Sequence, residues 1–301
     1  MKSNRREFIK TSALLTTGVS LLPGMSCMKQ PSNLITAVQL YCVRDEMQAD
    51  PLGSLTKLAE MGYTHVEHAN YVDQKFYGWT AVEFKKVLDD LSLKMPSGHT
   101  VLGKDHWNPN TNDFTDEWKK LVDDAAYMEQ QFVVSPWLDE SLRSTYDDLM
   151  HFMEVFNKCG ELCQKSGMKF GYHNHDFEFS SELNGEKIFD LIMNNTDADK
   201  VVMQLDMGNM YIAGALAKDV IGQYPGRYGT IHVKDMIKSE GEGEGYESTI
   251  LGKGLVGTRE VTDLGKESGT TLFVVEQESY QGKTPMDCME EDLAVMKSWG
   301  Y

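Results

Sequence analysis

The chain has 301 residues, of which 41% are hydrophobic and 25% are charged, and its formal net charge at pH 7 is -17. This size is enough for a substantial hydrophobic core and is compatible with a single barrel domain. Such an acidic chain is a poor candidate for binding nucleic acid or anionic lipid through general electrostatics, and it has no run of about 18 uncharged apolar residues that would span a membrane.

The N-terminal segment resembles a twin-arginine export signal. Arg5 and Arg6 are followed by Phe8 and Lys10 in their expected places, and a weakly apolar run over residues 11–22 comes next. Signals of this kind are addresses for an export machinery and are not part of the folded domain. We therefore predict an export signal and tether over residues 1–30, export by the twin-arginine machinery, and a periplasmic location.

A second feature of this segment concerns a lipid anchor. Ser26 before Cys27 resembles a lipoprotein cleavage site, but Gly24 stands where that signal usually has leucine. A lipid on Cys27 therefore stays an open alternative to a freely soluble exported protein.

From residue 31 onward, strand-like and helix-like segments alternate. Short apolar runs predict strands at residues 34–40, 63–66, 93–97, 131–135, 168–172, 201–205, 230–231 and 271–275. Apolar residues at helical spacing predict helices at residues 54–61, 81–91, 116–129, 144–166, 187–194, 213–223, 258–268 and 285–299. Eight such units predict a (β/α)8 TIM barrel over residues 31–301. A doubly wound open sheet is the alternative fold, but no glycine-rich phosphate loop follows the first strand.

Four of the predicted strands end in side chains that commonly ligate metals. They are His173, Asp206, His232 and Glu276. Because the C-terminal ends of barrel strands gather on one face, these groups are expected to converge on one divalent cation, Mn, Zn, Mg or Co. The alternative is that they are four unrelated polar caps.

The acidic, glycine-rich stretch over residues 239–248 follows the strand that ends at His232. Its composition is typical of a solvated linker. Its position beside the expected metal also fits a mobile lid.

Several short motifs together resemble the xylose-isomerase-like TIM barrels, the sugar phosphate isomerase/epimerase family. The motifs are Gln39-Leu40-Tyr41, Val66-Glu67, His173-Asn174-His175, Gln204-Leu205-Asp206-Met207-Gly208-Asn209, His232-Val233-Lys234-Asp235 and Val275-Glu276. The resemblance implies one metal held by Glu, Asp, His and Glu, and the last three of these match Asp206, His232 and Glu276. His173 stands where the family usually has glutamate, and His175 is the alternative first ligand.

The resemblance also implies proton chemistry on a sugar. A cation bound by a carbonyl and its neighbouring hydroxyl acidifies the adjacent C–H group, and a carboxylate or imidazole then moves the proton. Glu276, Glu178 and His175 are the candidate proton carriers, and Lys234 is a candidate for stabilising the developing oxyanion. The expected substrate-binding residues are Tyr41, Glu67, His99, Trp137, Asn209 and Lys234.

These features predict a metal-dependent isomerase or epimerase. Because phosphorylated sugars are scarce outside the cytoplasm, we expect an unphosphorylated sugar or keto-sugar as its substrate. One alternative is a lyase or hydratase that eliminates the aglycone from an oxidised 3-keto-glycoside. Another is an exported carbohydrate-binding protein without catalysis.

Overall fold

The computed structural model describes residues 34–239 and 245–301. The predicted export signal, including Cys27, lies outside the described residues. Within them, eight parallel strands form a closed barrel in which each strand pairs with its neighbours in chain order. The strands are β1 Ile35–Gln39, β2 His65–His68, β3 Lys94–His99, β4 Phe132–Ser135, β5 Lys169–His173, β6 Val201–Asp206, β7 Tyr228–Val233 and β8 Leu272–Val275. The predicted TIM barrel is therefore confirmed.

Helices cover the outside of the barrel. They are α1 Pro51–Met61, α2 Ala81–Asp90, α3 Asp116–Tyr127, α4 Tyr146–Gln164, α5 Ile188–Asn195, α6 Ala217–Gln223, α7 Thr258–Glu267 and α8 Pro285–Trp299. A capping box starts α2, because Thr80 and Glu83 hydrogen-bond each other's backbone amides. A cap of this kind stabilises a helix by about 1 kcal/mol. None of the helices in the described ranges is long and apolar enough to cross a membrane.

Two segments differ from the prediction. The helix expected over residues 213–223 is shorter, and a separate turn of helix, Met207–Ile212, directly follows β6. The acidic stretch expected to be a linker or lid contributes a strand, Tyr246–Thr249, which pairs antiparallel with Asp235–Lys238. Composition concealed this hairpin, because glycine and glutamate are both depleted in strands and dominate the stretch.

The barrel interior changes from apolar to polar towards the C-terminal ends of the strands. Ala37, Leu272 and Val274 form a small buried cluster in the sheet. Near the strand ends, the buried side chains include Gln39, Glu67, Ser97 and Gln204. Buried polar groups are tolerated when they hydrogen-bond one another, so this layer forms a polar floor beneath the C-terminal face.

Candidate metal centre and active site

The four predicted ligands converge at the C-terminal face of the barrel. His173 and Asp206 are the last residues of β5 and β6, His232 lies near the end of β7, and Glu276 follows β8. One ligand atom from each lies within 4.8 Å of those of the other three, and all four side chains are buried. Two imidazoles and two carboxylates at this spacing suit a divalent cation.

Asp206 provides a test of whether a cation fits. Its Oδ1 accepts a hydrogen bond from the amide of Asn209 at 2.7 Å, whereas Oδ2 is buried without a hydrogen-bond partner. Asn174 fixes the backbone, because its side chain accepts from the Asp206 amide and donates to the Asp206 carbonyl. A buried carboxylate oxygen without a hydrogen bond is costly, and the nearby Lys234 ammonium is 3.7 Å away, so this oxygen fits a metal ligand.

Burial and neighbouring charges shift the pKa values of the cluster residues. Burial raises the pKa of Asp206 to about 7, against the lowering effect of Lys234. Burial alone would lower the pKa of His232, but Glu276 and Glu67 raise this pKa to about 10. A cation would replace these protons, because metal ligands must be deprotonated.

Lys234 lies between the metal cluster and the cavity. Its ammonium group is 3.7 Å from Asp206 Oδ2 and 3.5 Å from Glu276 Oε2, and it also pairs with Glu278. Burial alone would lower the pKa of Lys234, but these carboxylates hold it well above its usual range. Gly208 leaves room for the lysine stem, since a β-carbon there would lie 2.9 Å from Lys234 Cγ.

A cavity of about 650 Å³ opens above the cluster. Of the expected substrate-binding residues, those in its wall are Tyr41, His99, Trp137, Asn209 and Lys234. Tyr41 and Trp137 remain 43% and 40% exposed, respectively. Exposed aromatic faces beside buried polar groups are common in small-molecule sites.

His175 is also in the cavity wall, with its ring edge-on to Trp137 at 4.9 Å between centroids. Its Nδ1 is buried without a hydrogen-bond partner. Burial, reinforced by Lys234, lowers the pKa of His175 to about 4, so the ring is neutral near pH 7. The four-residue cluster includes His173, not His175.

Two residues expected to take part in catalysis or substrate binding, Glu178 and Glu67, lie outside the cavity wall. Glu178 is buried, and its carboxylate accepts hydrogen bonds from the Tyr172 hydroxyl and from the His175 amide at 2.8 Å. Glu178 therefore braces the segment that presents His175. Glu67 is completely buried in the polar floor, where its carboxylate contacts His232 from below at 2.6 Å.

The structure adds cavity residues that the sequence analysis missed. Tyr71 comes from a small hairpin after β2, Tyr246 from the hairpin after β7, and Glu278 from the segment after β8. Glu278 was detectable, because it is two residues beyond Glu276 and an extended chain directs such residues to the same side.

The comparisons with known proteins agree with this geometry. The model of the xylose isomerase-like TIM barrel family matches residues 55–299. The chain belongs to this family.

Similar proteins in the family have different chemical descriptions. A curated inosose dehydratase from Clostridium perfringens is 26% identical over 122 residues, and the aligned segment spans only 40% of each chain. A solved structure of a sugar phosphate isomerase/epimerase from Parabacteroides distasonis is 26% identical, has a TM-score of 0.77, and matches over 90% of this chain and 96% of its own.

A third similar protein has a bound cation. It is a xylose isomerase-like TIM barrel protein from Mycobacterium smegmatis, solved in complex with magnesium. It is 16% identical, with a TM-score of 0.62, and the match covers 88% of this chain and 96% of that one. This likeness shows the shared fold.

Proposed function

We propose that this chain is a metal-dependent carbon–oxygen lyase that acts on an unphosphorylated polyhydroxylated ketone, such as an inosose or a keto-glycoside. The observation that carries this proposal is that the carboxylates and the lysine of the cavity wall all lie on one side of the cavity. Lys234, Glu276 and Glu278 all belong to the β7 and β8 side. The β4 and β5 side presents Trp137 and two histidines instead.

Carboxylate and lysine groups on one side of the substrate suit elimination better than epimerisation. An epimerase must remove a proton from one face of a carbon and return it to the other, which calls for a group on each side. In an elimination, one group removes the proton next to the carbonyl and the oxygen at the next carbon leaves with a proton. The products are an unsaturated ketone and water or an alcohol, so no oxidant or reductant is consumed.

The residues have complementary roles in this reaction. A divalent cation held by His173, Asp206, His232 and Glu276 would polarise the substrate carbonyl. We assign proton removal to Glu276, which lies in both the cluster and the cavity wall. Lys234 is held protonated and donates to the oxygen on which negative charge develops. Glu278, paired with Lys234 and partly exposed, connects the ammonium to solvent protons.

The charge of the cavity argues against a phosphorylated substrate. Among the described residues of its wall, Lys234 is the one lysine or arginine, and its ammonium is already surrounded by carboxylates. Glu247, Glu276 and Glu278 add negative charge to the same wall. A phosphate group would meet repulsion there, since phosphate sites usually provide arginine, lysine or backbone amides.

Heavy-water NMR tests this proposal. Metal-loaded protein is incubated with inosose, 3-keto-glycosides and simple ketoses, and the products are followed over time. We expect deuterium exchange next to the carbonyl and release of water or the aglycone. Glu276→Gln should abolish both, whereas Glu290→Gln, at an exposed position on α8, should leave both unchanged. A bound metal with neither exchange nor product formation would contradict the proposal and favour a binding protein.

An isomerase or epimerase is the second candidate, because one group is available on the opposite side. The buried Nδ1 of His175 has no partner and its ring lines the cavity. A neutral imidazole there would return a proton to the second face of the substrate. A deuterated product of unchanged composition, lost in His175→Phe, would support this reaction.

A further inference from the structure

The carboxylate of Glu67 is the centre of the polar floor beneath the metal cluster. It accepts hydrogen bonds from Gln39 Nε2 at 2.7 Å, from Gln204 Nε2 at 2.8 Å and from the hydroxyl of Ser97. His232 Nε2 lies 2.6 Å from the same carboxylate. All of these side chains are fully buried, so no water competes for Glu67.

These contacts determine which way the Gln204 amide faces. An ionised carboxylate only accepts hydrogen bonds, so the NH₂ group of Gln204 must point at Glu67. The carbonyl oxygen of Gln204 is then directed at His173 Nδ1, 3.0 Å away. Because that oxygen can only accept, His173 must have its hydrogen on Nδ1. Its other nitrogen, Nε2, lies 4.0 Å from Asp206 Oδ2 and has a free lone pair for a cation.

The contacts of His232 assign its hydrogen to the opposite ring nitrogen from that of His173. Its Nε2 faces Glu67, whose oxygens already receive three other donors and also lie 3.2 Å from His99 Nε2, so protein groups fill this side of the ring. Its Nδ1 faces Glu276 Oε2 at 3.0 Å, within the four-residue cluster. His232 therefore keeps the hydrogen on Nε2 and presents Nδ1 to the metal.

We propose that Glu67 is a positioning residue that sets the tautomers of both histidine ligands, directly for His232 and through Gln204 for His173. Glu67 was expected to bind substrate, but its oxygens already accept hydrogen bonds from three side chains and it is absent from the cavity wall. Carboxylates behind metal-bound histidines commonly orient the ring and strengthen the ligand. This inference depends on the metal centre but is independent of the reaction catalysed there.

NMR of the zinc-loaded wild-type protein tests the inference without substrate. Long-range ¹H–¹⁵N correlation spectra distinguish protonated from metal-bound ring nitrogens. We expect His232 to show a hydrogen on Nε2 and zinc on Nδ1, and His173 to show the reverse. Zinc on Nε2 of His232, or a wild-type chain that binds no zinc, would overturn the inference. A lack of lyase activity in a protein with the expected spectrum would overturn only the proposed function.

Zinc affinity of variants gives a second test. Glu67→Gln should weaken zinc binding by about 10- to 100-fold, the usual effect of losing such a partner. Glu67→Asp, which keeps a carboxylate, should recover part of this loss. Asp292→Asn is the matched control, because Asp292 is also fully buried and accepts a backbone amide, that of Leu251, outside the network. Equal zinc affinity in Glu67→Gln and the wild type would contradict the proposed role.

Discussion

The ammonium group of Lys234 lies 3.5 Å from the Glu276 carboxylate, with both side chains buried at the edge of the cavity. This pair joins the metal cluster to the space in which a substrate would react. The Lys234 ammonium also places a positive charge beside the proposed base Glu276. Negative charge develops there on the carbonyl oxygen of the substrate when the neighbouring proton is removed.

Lys234→Met should therefore reduce turnover without removing the metal. Loss of one donor to a developing oxyanion typically lowers kcat by about 10²- to 10³-fold. Steady-state kinetics and metal analysis of the same preparation check both statements. Lys253→Met is the control, because Lys253 is exposed and pairs with Glu291 on the surface. Unchanged kcat in Lys234→Met would rule out its assigned role.

Metal affinity should increase with pH. Binding displaces a proton from Asp206, whose pKa is raised to about 7, and one from His232, whose pKa is raised to about 10. The Kd for Mn²⁺ should thus fall by about two orders of magnitude per pH unit below 7 and by about one above it. Titrations between pH 6 and 8.5 measure this slope. A Kd that is independent of pH would show that the ligands are already deprotonated.

The structure explains why the four candidate ligands could be selected from the sequence. Each of them lies at or beside the C-terminal end of a buried barrel strand, so the sequence itself shows a short apolar run followed by a ligand-type residue. Glu178 lies outside the cavity wall, because it belongs to the short helix Phe177–Ser180 beyond β5 and its carboxylate accepts the His175 amide.

The polar floor could not be predicted in the same way. The contact between Glu67 and His232 joins residues 165 positions apart, across the barrel interior. Only closure of the barrel brings them together, and local sequence patterns contain no information about a contact across it. The hairpin that supplies Tyr246 was missed because its glycine-rich composition is typical of loops.

Asp292 should limit the stability of the fold above neutral pH. Burial raises its pKa to about 7, so the folded state retains a proton that the unfolded chain has already lost. Stability therefore falls as pH rises from about 4 through 7, by about 1.4 kcal/mol per unit. Asp292→Asn should gain about 3 kcal/mol relative to wild type between pH 5 and pH 8. Urea denaturation measures this gain, and the exposed Glu290→Gln should not show it.

Export remains a prediction from the N-terminal sequence. Replacing Arg5 and Arg6 together by lysine should leave the precursor in the cytoplasm, because the twin-arginine machinery recognises this pair. Cell fractionation with immunoblotting measures the distribution. Cys27→Ala tests the anchor separately, since it should release a lipidated protein from the membrane fraction. Normal export of the double lysine variant would refute the twin-arginine route.

The metal centre is the central claim, and metal analysis of purified protein tests it most directly. The wild-type chain should contain about one divalent cation, and the double variant Asp206→Ala/Glu276→Ala should lose it, because two of four ligands are removed. His151→Ala, which changes an exposed histidine on α4, should retain the cation. Full metal occupancy in a folded Asp206→Ala/Glu276→Ala variant would contradict the account.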